Sequence, residues 1–114
     1  MEEIRKMPQQ IRYAHMQHRP IPSRLALAIN PATTTPKLTL LATDPASSVR
    51  AKVAANPNIT QSVLRYLSKD PAPNVRSQVA ANPLSPGDAI SAMAGDTCWQ
   101  VRAIIGWRKR QLVA

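Results

Sequence analysis

Apolar residues in this chain fall into short stripes at helical spacing. Val49 and Val53 lie four apart, as do Val75 and Val79, and each pair is followed within a few residues by Asn-Pro. Leu38 and Leu41, Leu64 and Leu67, and Ile90 and Met93 then lie three apart. Intervals of three and four place residues on one side of an α-helix, whereas a half-buried strand would alternate. The pattern therefore predicts an all-helical chain built from helices of only a few turns.

These stripes recur with a fixed period. Asn30, Asn56 and Asn82, each followed by proline, are 26 residues apart. Arg24, Arg50, Arg76 and Arg102 keep the same interval, as do Asp44, Asp70 and Asp96, each six residues before its arginine. A period between about 20 and 50 residues is the signature of stacked repeats. The expected architecture is a short α-solenoid of about four two-helix repeats. In one domain spanning 1–114, the divisions fall at 1–17 (N-terminal cap), 18–43 (a degenerate repeat), 44–69, 70–95 and 96–114 (a C-terminal capping helix). The fourth copy lacks Asn-Pro, because Arg108 and Lys109 occupy those places.

Local signals divide each repeat in two. Asp44 and Asp70 have N-cap chemistry, and Pro45 and Pro71 suit a first helical position, so helix A is expected to start there. Its end is expected near Ala55 or Ala81, because the residue before a proline is pushed out of the α region. The second helix is expected from Thr60 in one copy and from Ser85-Pro86 in the next, where Asp88 resembles the far end of a capping box. It should be short, since its apolar pairs three apart suit about one to three helical turns. Isolated helices below about 12 to 15 residues are marginal in water, so stacking must stabilise both.

Composition narrows the class. The core must be thin, since the chain has no Phe and aromatics make up 4% of it. Five of the 11 prolines recur at the repeat interval, Pro31, Pro57 and Pro83 in one column and Pro45 and Pro71 in another, and act as punctuation, not as a mark of disorder. No apolar run resembles a signal peptide, and the longest aliphatic stretch, Leu25 to Ile29, is too short to span a bilayer. A single cysteine excludes an internal disulfide framework. A cytoplasmic, soluble protein is expected, and its formal charge of +9 points to acidic partners or to solubility.

The units "DPASSVRAKVAANPNITQSVLRYLSK" and "DPAPNVRSQVAANPLSPGDAISAMAG" resemble the leucine-rich repeat variant family. The resemblance covers two full copies, a worn copy at about 18–43 and a partial one from 96. It implies a right-handed superhelix in which α-helices alternate with short helices, often 3-10 in character, and a binding scaffold with no common reaction. Some members carry an iron–sulfur cluster on an N-terminal cysteine-rich segment. Residues 1–23 here contain no cysteine, so that feature does not transfer.

Candidate sites follow from chemistry and column. Arg24, Arg50, Arg76 and Arg102 with Asp44, Asp70 and Asp96 read as a structural ladder of the HEAT-like kind, the alternative being four guanidiniums tracking phosphates. Basic residues outside it, Arg12, Arg19, Lys52, Arg108, Lys109 and Arg110, are candidates for partner binding, with Trp99 and Trp107. For Trp107 and the "RKR" that follows it, a polar cap over the last unit is the competing role; for Trp99 it is terminal packing. His15 and His18 are too few for a metal site, and Cys98, aligned with Ala46 and Ala72, reads as a small packing residue. No cofactor, metal or small-molecule substrate is expected. With no phosphate-cradling loop and no nucleophile placed by motif beside a histidine and an acid, neither is catalysis. The partner is expected to be an acidic protein or, alternatively, nucleic acid bound without regard to sequence.

Overall fold

The computed structural model describes residues 19–113, which form seven α-helices, one 3-10 turn and no strand. The expected N-terminal cap at 1–17, with Arg12 and His15, lies outside the described residues, as does His18. Four helices hold the A position: α1 (Ile21–Ile29), α3 (Ser47–Ala55), α5 (Pro73–Ala81) and α7 (Trp99–Val113). Between them lie α2 (Thr35–Leu41), α4 (Gln61–Leu67) and α6 (Gly87–Ala92), the last running into a 3-10 turn at Met93–Gly95. α2 and α4 are α-helical, so 3-10 geometry among the short helices is confined to that turn.

The A helices pack on one another in chain order, α1 on α3, α3 on α5 and α5 on α7. The core repeats with the sequence. Val49, Val75 and Val101 are fully buried, as are Val53 and Val79, with Ile105 continuing their column. Leu38 and Leu64 with Ile90, and Leu41 and Leu67 with Met93, close the core from the short helices. Each such aliphatic side chain contributes about 1.5–3 kcal/mol when taken from water. Ala28, Ala54 and Ala80 are wholly buried where one A helix meets the next, and a methyl group there lets the backbones approach closely.

Helix A starts two residues later than the caps suggested. Ala46 and Ala72 hold the N-cap position, and Pro73 opens α5 while Pro45 and Pro71 stay outside their helices. Asp44 and Asp70 instead make a tight turn ahead of the helix, each accepting at Oδ1 the N–H two residues on, at 2.9 Å. Placed there, the carboxylate lies near the positive end of the helix and keeps its second oxygen for another partner. The far end agrees with expectation. Asn56 and Asn82 are C-caps with ψ of 131° and 121°, the extended backbone that a following proline imposes. Among the described residues no turn uses positive φ, so proline, not glycine, makes the corners.

The short helices differ from expectation at one start. Thr60 is an N-cap whose hydroxyl accepts from the Val63 N–H. Ser85 is not: its hydroxyl donates to the Val79 carbonyl at 2.6 Å, Pro86 takes the cap position, and Asp88 pairs with Arg65. The buried end of α5 outcompetes the exposed start of α6 for that hydroxyl, because an unbonded carbonyl costs more when buried.

Candidate binding surface

Two sets of polar bonds join each repeat to its neighbours and decide which polar side chains remain for a partner. The first runs forward. Arg24 pairs through Nε and Nη2 with both oxygens of Asp44 at 2.9 and 3.3 Å, Arg50 with Asp70 at 2.8 and 3.1 Å, and Arg76 with Asp96 at 2.9 and 3.1 Å. The carboxylate comes from the following repeat, 20 residues on, not from the aspartate six residues before. The earlier aspartate contributes its backbone: Nη1 of Arg50, Arg76 and Arg102 donates to the carbonyl of Asp44, Asp70 and Asp96 at 2.7, 2.8 and 2.6 Å. One planar guanidinium thus spans two repeats, which a lysine could not do in this fixed geometry. At Asp96 burial works against the charge, but the bonds from Arg76 and from the Cys98 N–H outweigh it and hold the carboxyl below its ordinary range.

The second set runs backward. The Asn56 amide donates to the carbonyls of Ala28 and Asn30 at 2.7 and 3.0 Å, and Asn82 to that of Ala54 at 2.7 Å. The same side chains accept at Oδ1 from Asn58 N–H and Leu84 N–H, which fixes the corner after each helix. In the fourth copy Arg108 takes over the column. Its Nη1 donates to Ala80 O at 3.0 Å and to Asn82 O at 2.7 Å. Since Lys109 imposes no corner, α7 runs on for fifteen residues where each earlier A helix has nine. Arg108 is therefore turned into the stack. Trp107, in the exposed column of Ile29, Ala55 and Ala81, is 57% exposed.

The carboxylates are fully used. Asp44, Asp70, Asp88 and Asp96 are the four among the described residues, and each is paired with one arginine. Arg102, Arg108, Lys109 and Arg110 on α7, Lys52 on α3, Lys37, Lys69 and Arg19 have no described carboxylate partner. Of these all but Arg108 are exposed. Lys37, Lys52 and Lys69 fall in three different repeat columns, and the equivalent positions in adjacent repeats carry no cation. The free positive charge is scattered over the middle of the molecule and gathered on α7.

Large apolar side chains are also exposed: Ile29 and Leu84 by helix A ends, Trp107 within α7, and Ile21 and Trp99 at the starts of the first and last A helices. A shallow groove of about 490 Å³ runs between two corners, lined by Ala55, Pro57, Ala81, Pro83 and Leu84. Cys98 is half-buried, with its thiol 2.8 Å from the Gln100 amide oxygen. Among the described residues no cluster of three His, Cys, Asp or Glu could hold a metal, and no helix is long and apolar enough to cross a membrane.

The side-chain role of the asparagines and the Arg65-Asp88 pair escape a reading of the sequence. The asparagine column carried a signal, since proline alone would end the helix whatever residue preceded it. No family model, curated protein or solved structure matches the chain.

Proposed function

We propose that the chain is a non-enzymatic scaffold, a short right-handed α-solenoid of the leucine-rich repeat variant type, that binds an acidic protein partner through its surface. One observation carries the reading: every described carboxylate is paired with an arginine, three of them in the joints between repeats and Asp88 with Arg65 at the surface, so the excess positive charge is borne by exposed side chains with no described carboxylate partner. Such a surface steers and selects negatively charged partners. The scatter of Lys37, Lys52 and Lys69 across different columns favours a protein over a nucleic-acid backbone, which would be tracked by a continuous stripe. Exposed Leu84 in the lining of an apolar groove, and exposed Trp107 on α7, supply the kind of anchor that protein interfaces use.

Capture on immobilised chain from a lysate of the source organism, with and without nuclease, tests the reading. Proteins that stay bound after nuclease and elute with salt are expected. A direct titration with labelled duplex and single-stranded oligonucleotides at about 50 mM salt, which favours counterion-driven binding, completes the test. Retention of nucleic acid alone would replace the protein partner with the nucleic-acid alternative.

A further inference from the structure

The face that α1, α3 and α5 each turn toward the next repeat is met by no further described helix on α7. Ala28, Ala54 and Ala80 are wholly buried, but Gly106 in their column is partly exposed, with the Arg110 guanidinium 3.6 Å from where a Cβ would stand. The side chains of Arg24, Arg50 and Arg76 are 10%, 15% and 12% exposed beneath the following aspartate. Arg102 is exposed. Its Nη1 is already fixed on the Asp96 carbonyl, as in Arg50 and Arg76, while Nε and Nη2 meet no carboxylate among the described residues. Ala103 and Gly106 lie beside it on the same helical face, a floor of small residues between the exposed Trp99 and Trp107.

We propose that this face of α7, exposed among the described residues, is a further repeat joint, which seats a helix of a protein partner whose leading aspartate pairs with Arg102. The proposal rests on the binding-scaffold reading and gives it a site. Three filled joints of the same register show what fits: an aspartate whose Oδ1 turns back on its own chain two residues before the helix cap, and a helix packed over alanine. Charge complementarity selects the chemistry. A guanidinium held at one nitrogen presents its remaining edge as a fork that matches a carboxylate. A second copy of the chain is a poor occupant, because its described aspartates are all taken and its own α7 face, with Arg102 and Arg110, would be repelled.

The test places a photoreactive phenylalanine analogue at position 103, and in a separate variant at position 37, in the full chain. Both are irradiated in nuclease-treated lysate of the source organism, and the cross-linked proteins are identified by mass spectrometry. The expected result is a protein cross-linked from position 103, with yield falling about tenfold or more in Arg102→Gln, the effect of losing a charged pair. An acidic residue at the cross-linked site, exchanged for arginine, should restore binding to Arg102→Asp. Because Arg102 makes a single backbone bond, Arg102→Gln should keep the parent's circular dichroism spectrum. Cross-linking from 103 to a second copy or to nucleic acid would overturn the proposal, as would a yield indifferent to Arg102. Cross-linking from 37 alone would overturn it while leaving the scaffold reading in place. No protein cross-linked from either position would overturn both.

Discussion

The side-chain amide of Asn82 holds the carbonyl of Ala54 at 2.7 Å, 28 residues back in the chain and one repeat away in space. Ala54 is at the end of α3, where helical carbonyls have no partner of their own, and it is fully buried. Replacing Asn82 by alanine leaves that carbonyl unbonded and also frees the Leu84 N–H that Oδ1 now holds. Asn82→Ala should therefore lower stability by about 1–3 kcal/mol, the cost of an orphaned buried group. Asn82→Asp should do no better, since a carboxylate offers no N–H to the carbonyl. Chemical denaturation of the two variants checks this; a parent-like midpoint for either would remove the backward bond as a source of stability.

The forward bonds predict a contrast between two cations. Arg76 bridges Asp96 and the Asp70 carbonyl in a joint with repeats on both sides, whereas Lys109 is exposed and has no described carboxylate partner. Arg76→Ala should cost about 1–3 kcal/mol, because it leaves a partly buried carboxylate unpaired. Lys109→Ala should change stability by less than about 0.5 kcal/mol, as surface substitutions usually do. Equal melting temperatures for the two would contradict the ladder.

These two cases show how far the sequence could be read. Columns of Asp, Arg and Asn at a fixed interval identified the joints, and Val49, Val53, Leu64 and Leu67 identified the core, because period and apolar spacing are properties of the chain itself. The direction of each bond was not legible. Arg50 has one aspartate six residues before and another 20 residues after, and only the packing of α3 on α5 decides that the second supplies the carboxylate and the first a carbonyl. The helix start at Ser47 is not legible for a related reason: Asp44 has the chemistry of an N-cap, but a carboxylate wanted by Arg24 is held two residues farther out. Open positions on α7 could be seen only once the filled joints had a shape.

Acid should weaken the joint at Asp96. Its carboxyl is held below the ordinary range because the bonds from Arg76 and the Cys98 N–H outweigh the opposing effect of burial. A depressed folded-state pKa contributes stability that is fully present above the unfolded value, about 3.9 for aspartate. That contribution is lost as pH falls through the lower folded value. Between about pH 6 and pH 2, a window that spans both carboxylate states, the parent should lose melting temperature more steeply than Asp96→Asn. The variant should be the less stable of the two at neutral pH, and the curves should converge in acid. Parallel curves across that range would show that this carboxylate contributes nothing to the pH dependence.

Arg108 gives the sharpest division between a structural and a binding cation. It lies within three residues of Trp107, Lys109 and Arg110, yet its Nη1 is bonded to the Ala80 and Asn82 carbonyls, in place of the asparagine that the column would call for. Lys109 and Arg110 are exposed and make no described ion pair. Lys109→Gln with Arg110→Gln should leave the melting temperature near the parent's, whereas Arg108→Gln should lower stability by about 1–3 kcal/mol through the two carbonyls it leaves. Arg108→Asn alone should not recover the loss. In Asn56 and Asn82 the amide reaches back from an extended C-cap that the next proline enforces, and α7 has no such corner at 108. Adding Lys109→Pro should restore it, so the double variant Arg108→Asn, Lys109→Pro is expected to be more stable than Arg108→Asn and less helical after position 108. If the double variant melts below Arg108→Asn, the arginine is not a substitute for the Asn-Pro corner, and its two carbonyl bonds have another origin.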